Sequence, residues 1–319
     1  MRRGVHNPRV HSYVAVTDPG WYRFLVGRPD LEEVNFWRPR DTRHFGAIAV
    51  GELFFFKTHA PHNRVVGGGF YSSSANLRLS EAWEWFGPAN GVASLAEMRA
   101  RIARYRPLGP GEDPVIGCLF IRDPIFFAEA TAAAPPPGYP RSGAIQGKSY
   151  DLAHEPAASY FGDLIQRILG TAVEIDLSRP WHREGPVFGD PRLSPYRLGQ
   201  QAFQAVVLDA YQRRCAITGS KIRPVLHAAH IRPVTEGGEH RLDNGLLLRS
   251  DVHTLFDAGY LGIDSVYRLR VSPRLRKEFA NGDQYYARAG QVIALPAHRR
   301  QRPGREFIEW HMDEKFLAS

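Results

Sequence analysis

The chain has 319 residues, 43% of them hydrophobic, enough for two globular domains, and its net charge of +8 favours an acidic partner such as nucleic acid. No run approaches the roughly 18 apolar residues of a membrane span, and the basic N-terminus leads into no apolar signal segment, so we expect neither. Cys118 and Cys215 lie far apart, which excludes a disulfide framework and a four-thiolate zinc site and favours a reducing cytoplasm.

The first half of the sequence is predicted to form mainly short strands. "HSYVAVTD" alternates apolar and polar residues, "DPGW" is a turn before a short helix, and "FGAIAVGELFFFK" predicts two strands about Gly51. "RVVGGGFYSS" and "VIGCLFIRDPIFF" predict further strands. One helix, "SLAEMRARIARYR", interrupts them, with Ser94 as N-cap and Glu97 at capping-box spacing. Many short strands with few helices favour a compact, barrel-like α+β domain.

Two segments rich in proline separate the structured parts. Residues 129–143 are rich in proline and alanine and predict a surface loop. Residues 179–193 are rich in proline, glycine and charge, with no hydrophobic period. We therefore predict a first domain over 1–178, a linker over 179–193 and a second domain over 194–319.

The second domain begins with a predicted helix. Ser194 is its expected N-cap, Pro195 its first residue, and an apolar stripe runs through residues 195–214. "CAITGS" predicts a turn, and "RPVLHAAHI" and "NGLLLR" predict two strands joined by a polar loop. "SDVHTLFDAG" predicts a short helix with Ser250 as N-cap and Gly259 just past its end. The order is strand, strand, helix.

Four polar residues of this ββα unit are candidates for a hydrolytic metal site. His253 and Asp257 are four residues apart on the predicted helix, so they share a face that could hold a divalent cation. His230, at the end of the first strand, could act as a general base. Asn244 could hold the loop or orient the histidine, although Asp243-Asn244-Gly245 is also a plain turn sequence.

The words "CAITG", "HAAHI" and "NGLLLRSDVHTLFDAG" resemble the HNH nuclease motif, in the variant common in bacterial restriction endonucleases. The resemblance spans roughly residues 194–264 and includes the apolar residues between the histidines. It implies a ββα-metal fold that hydrolyses phosphodiester bonds with one divalent cation. It implies His230 as general base, Asn244 as orienting residue, and His253 with Asp257 as metal ligands. Mg²⁺ or Mn²⁺ is the expected cation, and Ni²⁺ or Zn²⁺ also suits these ligands.

The motif departs from that family at two points. Many HNH nucleases have a metal-binding Asp or His directly before the general base, where this chain has Ala229. His227 does not replace it in our prediction, because strand alternation should turn it away from His230. Many relatives also carry two CxxC pairs that bind a structural zinc, whereas Cys215 stands alone.

A basic segment follows the motif. Residues 265–305 contain ten Arg or Lys and two acidic residues, with Tyr267, Tyr285 and Tyr286 among them. This composition predicts either a surface that follows DNA phosphates or a solvated basic face. Arginine outnumbers lysine 36 to 5 in the chain, which suits phosphate recognition but equally fits a GC-rich genome.

The first domain resembles PUA-superfamily domains, a group that includes the SRA, EVE and YTH domains. The resemblance covers roughly residues 10–170 and is carried by "VNFWRPRDTRHFGAIAVGELFFFKTHAPHNRVVGGGFY" and "AWEWFGPANG". It implies a PUA-like β-barrel that holds a flipped base in an aromatic pocket. Each ring could instead belong to the core. The candidate pocket residues are Trp21, Tyr22, Asn35, Phe36, Trp37 and Tyr71.

The leading hypothesis from the sequence is a modification-dependent restriction endonuclease of a prokaryotic cytoplasm. Its first domain would bind double-stranded DNA with a modified base, which we expect to be a cytosine, and its second would cut nearby. Cleavage of both strands suggests a homodimer or successive nicking. One alternative is an HNH nuclease specific for unmodified DNA. Another is a modified-DNA-binding protein with an inactive HNH module.

Overall fold

The computed structural model of the chain describes residues 11–40, 45–140, 146–169 and 199–318. These residues form two compact units, 1–199 and 200–319. The predicted linker over 179–193, with the predicted helix start at Ser194 and Pro195, lies outside the described residues. No described helix has the length and apolar character needed to cross a membrane.

The first unit is built on one six-stranded mixed sheet. Its strands are β1 (His11–Thr17), β2 (Glu33–Arg38), β3 (Leu53–Thr58), β4 (Val65–Arg78), β5 (Val115–Phe126) and β6 (Gly147–Asp151). Its helices are α1 (Pro19–Leu25), α2 (Leu79–Phe86), α3 (Leu95–Ala103) and α4 (Ala157–Leu169). The strand order is β2-β5-β4-β3-β1-β6, in which only the β1–β3 pair is parallel among the described strands. The predicted α+β class is confirmed, and within the described residues β2 and β6 are the edges of the sheet.

Alternation along β3 supplies side chains to two separate hydrophobic cores. Phe54 and Phe56 belong to one core, together with Trp21 and Tyr22 of α1. Leu53 and Phe55 belong to the other core. Because successive strand residues point to opposite faces, the sheet is covered on both sides.

The local signals of the first unit are mostly confirmed, with one exception. Ser94 caps α3 by accepting a hydrogen bond from the Glu97 N–H, as the sequence predicts. Asp18 caps α1 in the same way, so the "DPGW" turn is the first turn of a helix. The two strands predicted about Gly51 are wrong: only β3 forms, and residues 45–52 are irregular. Gly51 adopts a φ of +87°, a left-handed conformation that does not occur in a regular strand, so the irregular segment continues up to β3.

The second unit contains short elements around a two-stranded antiparallel hairpin. Its helices are α5 (Gln200–Ala210), α6 (Ser250–Asp257), α7 (Pro273–Phe279), α8 (Asp283–Tyr286) and α9 (Arg305–Glu314). Its strands are β7 (Leu226–His230), β8 (Gly245–Arg249), β9 (Leu261–Ile263) and β10 (Leu269–Val271). β7 pairs with β8, and β9 pairs with β10. The predicted order of strand, strand and helix is present as β7, β8 and α6.

Helix α6 is fixed at both ends. Arg249, not Ser250, occupies the N-cap position, and its guanidinium forms an ion pair with Asp251, at 2.6 Å between Nε and Oδ1. Gly259 follows the helix with a φ of +78°, as a C-terminal glycine should. A Cβ on Gly259 would lie 2.1 Å from the Lys315 carbonyl oxygen, so glycine also allows the C-terminal segment to approach. The Gly259 carbonyl accepts a hydrogen bond from the Leu317 N–H at 3.0 Å.

Candidate active site

The β7–β8 hairpin places the predicted residues at one end of its ladder. His230, the last residue of β7, pairs with Gly245, the first residue of β8. Asn244 immediately precedes this pair and is fully buried. The hairpin register therefore brings His230 and Asn244 together, although 13 residues of chain separate them.

Asn244 holds the loop between the two strands. Its Oδ1 accepts a hydrogen bond from the Arg232 N–H at 2.9 Å, and its Nδ2 donates to the carbonyls of Arg232 and Glu239, both at 2.9 Å. Its own carbonyl accepts from the Ile231 N–H at 2.9 Å. Of the two roles that the sequence left open, loop bracing is the one for which the structure shows contacts. One buried amide joins the start of the loop to its end.

The His230 ring is held on one face and at one nitrogen. It stacks on Phe203 of α5, with ring centroids 4.0 Å apart and planes at 7°. Its Nε2 lies 3.0 Å from Nδ1 of His240, a loop residue that the sequence analysis did not single out. Burial, followed by the nearby His240 and His253 rings, lowers the pKa of His230 to about 4. The imidazole is therefore neutral at physiological pH and can accept a proton.

His253 and Asp257 share one face of α6, as their spacing predicts. Their Nε2 and Oδ2 atoms lie 3.2 Å apart. Burial lowers the pKa of His253, and His227 lowers it further, whereas Asp257 opposes this change. His227, which the sequence does not place in the site, has its ring centroid 5.8 Å from that of His253 in an edge-on arrangement.

The donor set can be compared with what a divalent cation needs. One imidazole and one carboxylate on a helix face are suitable ligands for the cations expected from the sequence. Within the described residues no three His, Cys, Asp or Glu side chains form a group that could hold a metal. Ala229, where many HNH nucleases have a further ligand, is buried with 1% of its surface exposed. His253 and Asp257 fit as two ligands, and water or phosphate oxygens would have to supply the others.

The lone cysteine of this unit has a structural role. Cys215 is fully buried, and its Sγ accepts hydrogen bonds from the N–H groups of Arg249 at 3.3 Å and Thr218 at 3.4 Å. These bonds tie the "CAITGS" turn to the start of α6. The turn therefore helps to position the helix that carries His253.

The basic segment over 265–305 presents charge to solvent, but its tyrosines do not extend outward. Tyr285 is buried and donates to Asp251 Oδ2 at 2.7 Å, and Tyr286 donates to the Ser272 carbonyl at 2.7 Å. Tyr267 donates to the Pro303 carbonyl at 3.1 Å. The exposed cations of the segment include Arg268, Arg270, Lys277, Arg288, Arg299 and Arg300. The hydroxyls stabilise the second unit, and the cations remain available to an anionic partner.

The six residues predicted to bind a modified base fall into two groups in the first unit. Trp21, Tyr22, Phe36 and Tyr71 belong to one buried core. Trp21 contacts Phe36 edge-on, with centroids 5.6 Å apart. Burial raises the pKa of Tyr71 to about 12.

The other two residues lie elsewhere. Asn35 donates from Nδ2 to Asn90 Oδ1 at 2.9 Å, and Trp37 donates from Nε1 to the Asn90 carbonyl at 2.9 Å. Because successive residues of β2 face opposite sides of the sheet, Asn35 and Trp37 are separated from Phe36. The six side chains therefore do not converge on one point.

A cavity of about 160 Å³ opens beside Tyr22 in the first unit. Tyr22 is 5% exposed, and its hydroxyl donates to the Phe127 carbonyl at 2.6 Å. The polar residues that line the cavity with it are Arg23, Thr58, His62, Arg64 and Glu129. Arg23 and Arg64 are cationic and Glu129 is anionic, so a ligand with polar groups would suit this opening.

Comparison with known proteins supports a nuclease in the second unit. Residues 215–264 match the family model of the HNH endonucleases. No curated protein matches the chain. The family match covers β7, β8 and α6, and therefore all four candidate residues of the site.

Among solved structures, the ASCH protein of Zymomonas mobilis is 13% identical, with a TM-score of 0.28 over 48% of this chain and 94% of that one. A mutant form of that protein gives a TM-score of 0.30 at 11% identity, over 48% and 97% of the two chains. The modification-dependent TagI restriction endonuclease is 14% identical, with a TM-score of 0.26 over 94% of this chain and 81% of that one.

Proposed function

We propose that this chain is a metal-dependent DNA endonuclease that restricts DNA carrying a modified base, most simply a modified cytosine. The observation that carries the proposal is the cluster on β7, β8 and α6. It combines a neutral, restrained His230 with the His253–Asp257 pair, inside the segment that matches the HNH endonuclease model. Such a restriction role belongs in a prokaryotic cytoplasm.

In the proposed reaction, His230 removes a proton from a water molecule while the water oxygen forms a bond to phosphorus. The bond from phosphorus to the leaving oxygen breaks, and that oxygen takes a proton from solvent. His253 and Asp257 would hold a divalent cation, which supplies electrostatic stabilisation of the charge on the phosphate. Asn244 keeps the loop around His230 in place through its three side-chain hydrogen bonds.

The exposed arginines of the basic segment would contact DNA phosphates. Each such contact releases counterions, so binding should weaken steeply as salt is raised. The first unit would read the modified base after it is flipped out of the duplex, and the cavity beside Tyr22 is the candidate entrance. A homodimer, or two successive nicks by one chain, would cut both strands.

A panel of matched plasmids tests this function. The panel carries unmodified cytosine, 5-methylcytosine, 5-hydroxymethylcytosine, glucosylated cytosine, N6-methyladenine or phosphorothioate, and is digested with Mg²⁺ or Mn²⁺. We expect cutting of one or more modified-cytosine plasmids and not of the unmodified one. Equal cutting of all plasmids would instead support a nuclease for unmodified DNA.

A binding protein with an inactive nuclease module is the second candidate. Two observations favour it: Ala229 is buried, and the described residues contain no three-ligand group. This candidate would be established if the protein binds modified DNA in a gel-shift assay but does not cleave it with Mg²⁺, Mn²⁺, Ni²⁺ or Zn²⁺.

A further inference from the structure

His240 lies in the loop between β7 and β8, and none of the roles described so far includes it. Its ring is half-buried, and its centroid lies 4.9 Å from that of His230 and 5.7 Å from that of Phe203. Its Nδ1 lies 3.0 Å from Nε2 of His230, at hydrogen-bonding distance. The three rings form a compact group at the end of the hairpin.

The position of His240 relative to His230 is fixed by Asn244. The Asn244 side chain bonds Arg232, two residues after His230, and the Glu239 carbonyl, one residue before His240. Both ends of the intervening loop are thus attached to the same buried amide. The braced loop therefore holds the backbones of the two histidines near each other.

The direction of this hydrogen bond decides which nitrogen of His230 can react. A neutral imidazole carries one proton, on either Nδ1 or Nε2. Within the described residues Nε2 of His230 bonds His240, whereas no hydrogen bond to Nδ1 of His230 is formed. With Nε2 engaged by His240, Nδ1 is the nitrogen left for a water molecule, and it can accept a proton only if the ring proton already resides on Nε2.

The geometry assigns His240 as the positioning residue of His230: its Nδ1 accepts the Nε2–H of His230 and keeps the opposite nitrogen, Nδ1, unprotonated and open to water. Stacking on Phe203 fixes the plane of the ring, and the bond to His240 fixes its rotation and its tautomer. This inference rests on the proposed function, because only a base needs a particular tautomer.

The tautomer itself can be observed without any cleavage. In protein with ¹⁵N-labelled histidine, long-range ¹H–¹⁵N spectra distinguish a protonated ring nitrogen from an unprotonated one, and His230→Ala identifies the relevant signals. We expect the Nε2–H form of His230 in the wild type and in His240→Asn, whose side-chain oxygen replaces Nδ1 as acceptor. We expect a mixture of tautomers in His240→Phe, which keeps a ring and removes the acceptor. An Nδ1–H signal in the wild type, or an unchanged spectrum in His240→Phe, would overturn the assignment.

Single-turnover cleavage supplies the functional test. We expect His240→Phe to be about 10- to 100-fold slower with unchanged DNA affinity, and His240→Asn to remain within a few-fold of wild type. His154→Ala, which removes an exposed histidine of the first unit, is the control and should cleave at the wild-type rate. If His240→Phe does not fold, His240→Ala makes the same comparison.

Equal loss in His240→Phe and His240→Asn would contradict the positioning role, since the acceptor would then be irrelevant. Wild-type protein that cuts no DNA would remove the proposed function, whereas the spectra would still decide the hydrogen bond. The two failures are therefore distinguishable.

Discussion

The two units of the chain use their aromatic and polar side chains in opposite ways. In the first unit the predicted binding rings pack on one another, as Trp21 does on Phe36 and Phe56, with centroids 5.6 and 5.0 Å apart. In the second unit the Phe203 ring stacks on His230, and the buried Asn244 amide holds the loop beside it. The first arrangement stabilises a sheet, and the second restrains the proposed base. A ring in a conspicuous position is thus weaker evidence of function than a polar group that a fold restrains.

Removal of the proposed base should have the largest effect. We expect His230→Ala to reduce the cleavage rate about 10²- to 10⁴-fold, because the proton of the attacking water loses its acceptor, while DNA affinity is retained. The measurement is single-turnover cleavage beside a gel-shift titration. His154→Ala, an exposed histidine of the first unit with 74% of its side chain accessible, is the matched control and should cut normally. Cleavage by His230→Ala at the wild-type rate would show that another residue is the general base.

Loss of the loop brace should weaken the second unit. Asn244→Ala leaves the Arg232 N–H and the carbonyls of Arg232 and Glu239 without their partner, so we expect a loss of about 2 to 3 kcal/mol in the free energy of unfolding. Asn244→Asp keeps one acceptor but turns a carboxylate toward two carbonyls, and should be no more stable than the alanine variant. Urea unfolding measures both. Wild-type stability in Asn244→Asp would show that the loop does not need the amide donors.

Acid should destabilise the second unit through His311 on α9. The ring is 2% exposed, stacks on Phe256 at 3.8 Å and donates from Nε2 to the Phe256 carbonyl. Burial, opposed by that bond, lowers its pKa from 6.5 to about 4. Below pH 6.5 His311 binds a proton in the unfolded chain but not in the folded one. The free energy of unfolding therefore falls between pH 6.5 and about 4, by up to about 3 kcal/mol.

His311→Phe keeps the ring stack and removes the titrating group. Its free energy of unfolding should therefore depend less on pH than that of the wild type in this window. If the free energy of unfolding changes with pH to the same extent in both proteins, His311 does not account for the acid sensitivity.

The smallest effect is expected for Tyr22→Phe in the first unit. The variant keeps the ring beside the cavity and deletes the hydroxyl that donates to the Phe127 carbonyl, so we expect a loss of about 1 kcal/mol in stability. Under the proposed function, Tyr22→Phe should lower the affinity for modified DNA only slightly, because the ring is retained. Arg64→Ala removes a cationic side chain that lines the cavity and should lower this affinity more. Unchanged affinity in Arg64→Ala would argue against the cavity as the reading site.

The sequence predicts the site where the signals are local, and fails where they depend on the loop. Strand, strand and helix follow from "HAAHI", "NGLLLR" and Gly259, and the His253–Asp257 pair follows from helical spacing. His240 carries no such signal, because its approach to His230 depends on how the loop folds, and Asn244 braces that loop. Strand alternation predicts only that His227 and His230 face opposite sides of β7, and it says nothing about His253 on α6, whose ring centroid lies 5.8 Å from that of His227.

In the first unit the sequence already argues against a single pocket, but it does not show which ring lies at a cavity. Alternation along β2 already separates Asn35 and Trp37 from Phe36, and therefore argues against one pocket that contains all three. What the sequence does not contain is the distinction between a ring in the core and a ring at a cavity, because that depends on how strands distant in the chain pack together. Tyr22 lines the cavity only because β3, β4 and α1 meet there.

Each unit contains one cysteine, and both thiols are fully shielded from water, Cys118 in β5 and Cys215 beneath the start of α6. A thiol-reactive reagent can modify either one only when its surroundings open. Pulsed alkylation followed by peptide mass spectrometry would thus time the opening of the two units separately, in the unaltered protein and without an introduced label. Added DNA that engages one unit should slow the labelling of that unit's cysteine alone.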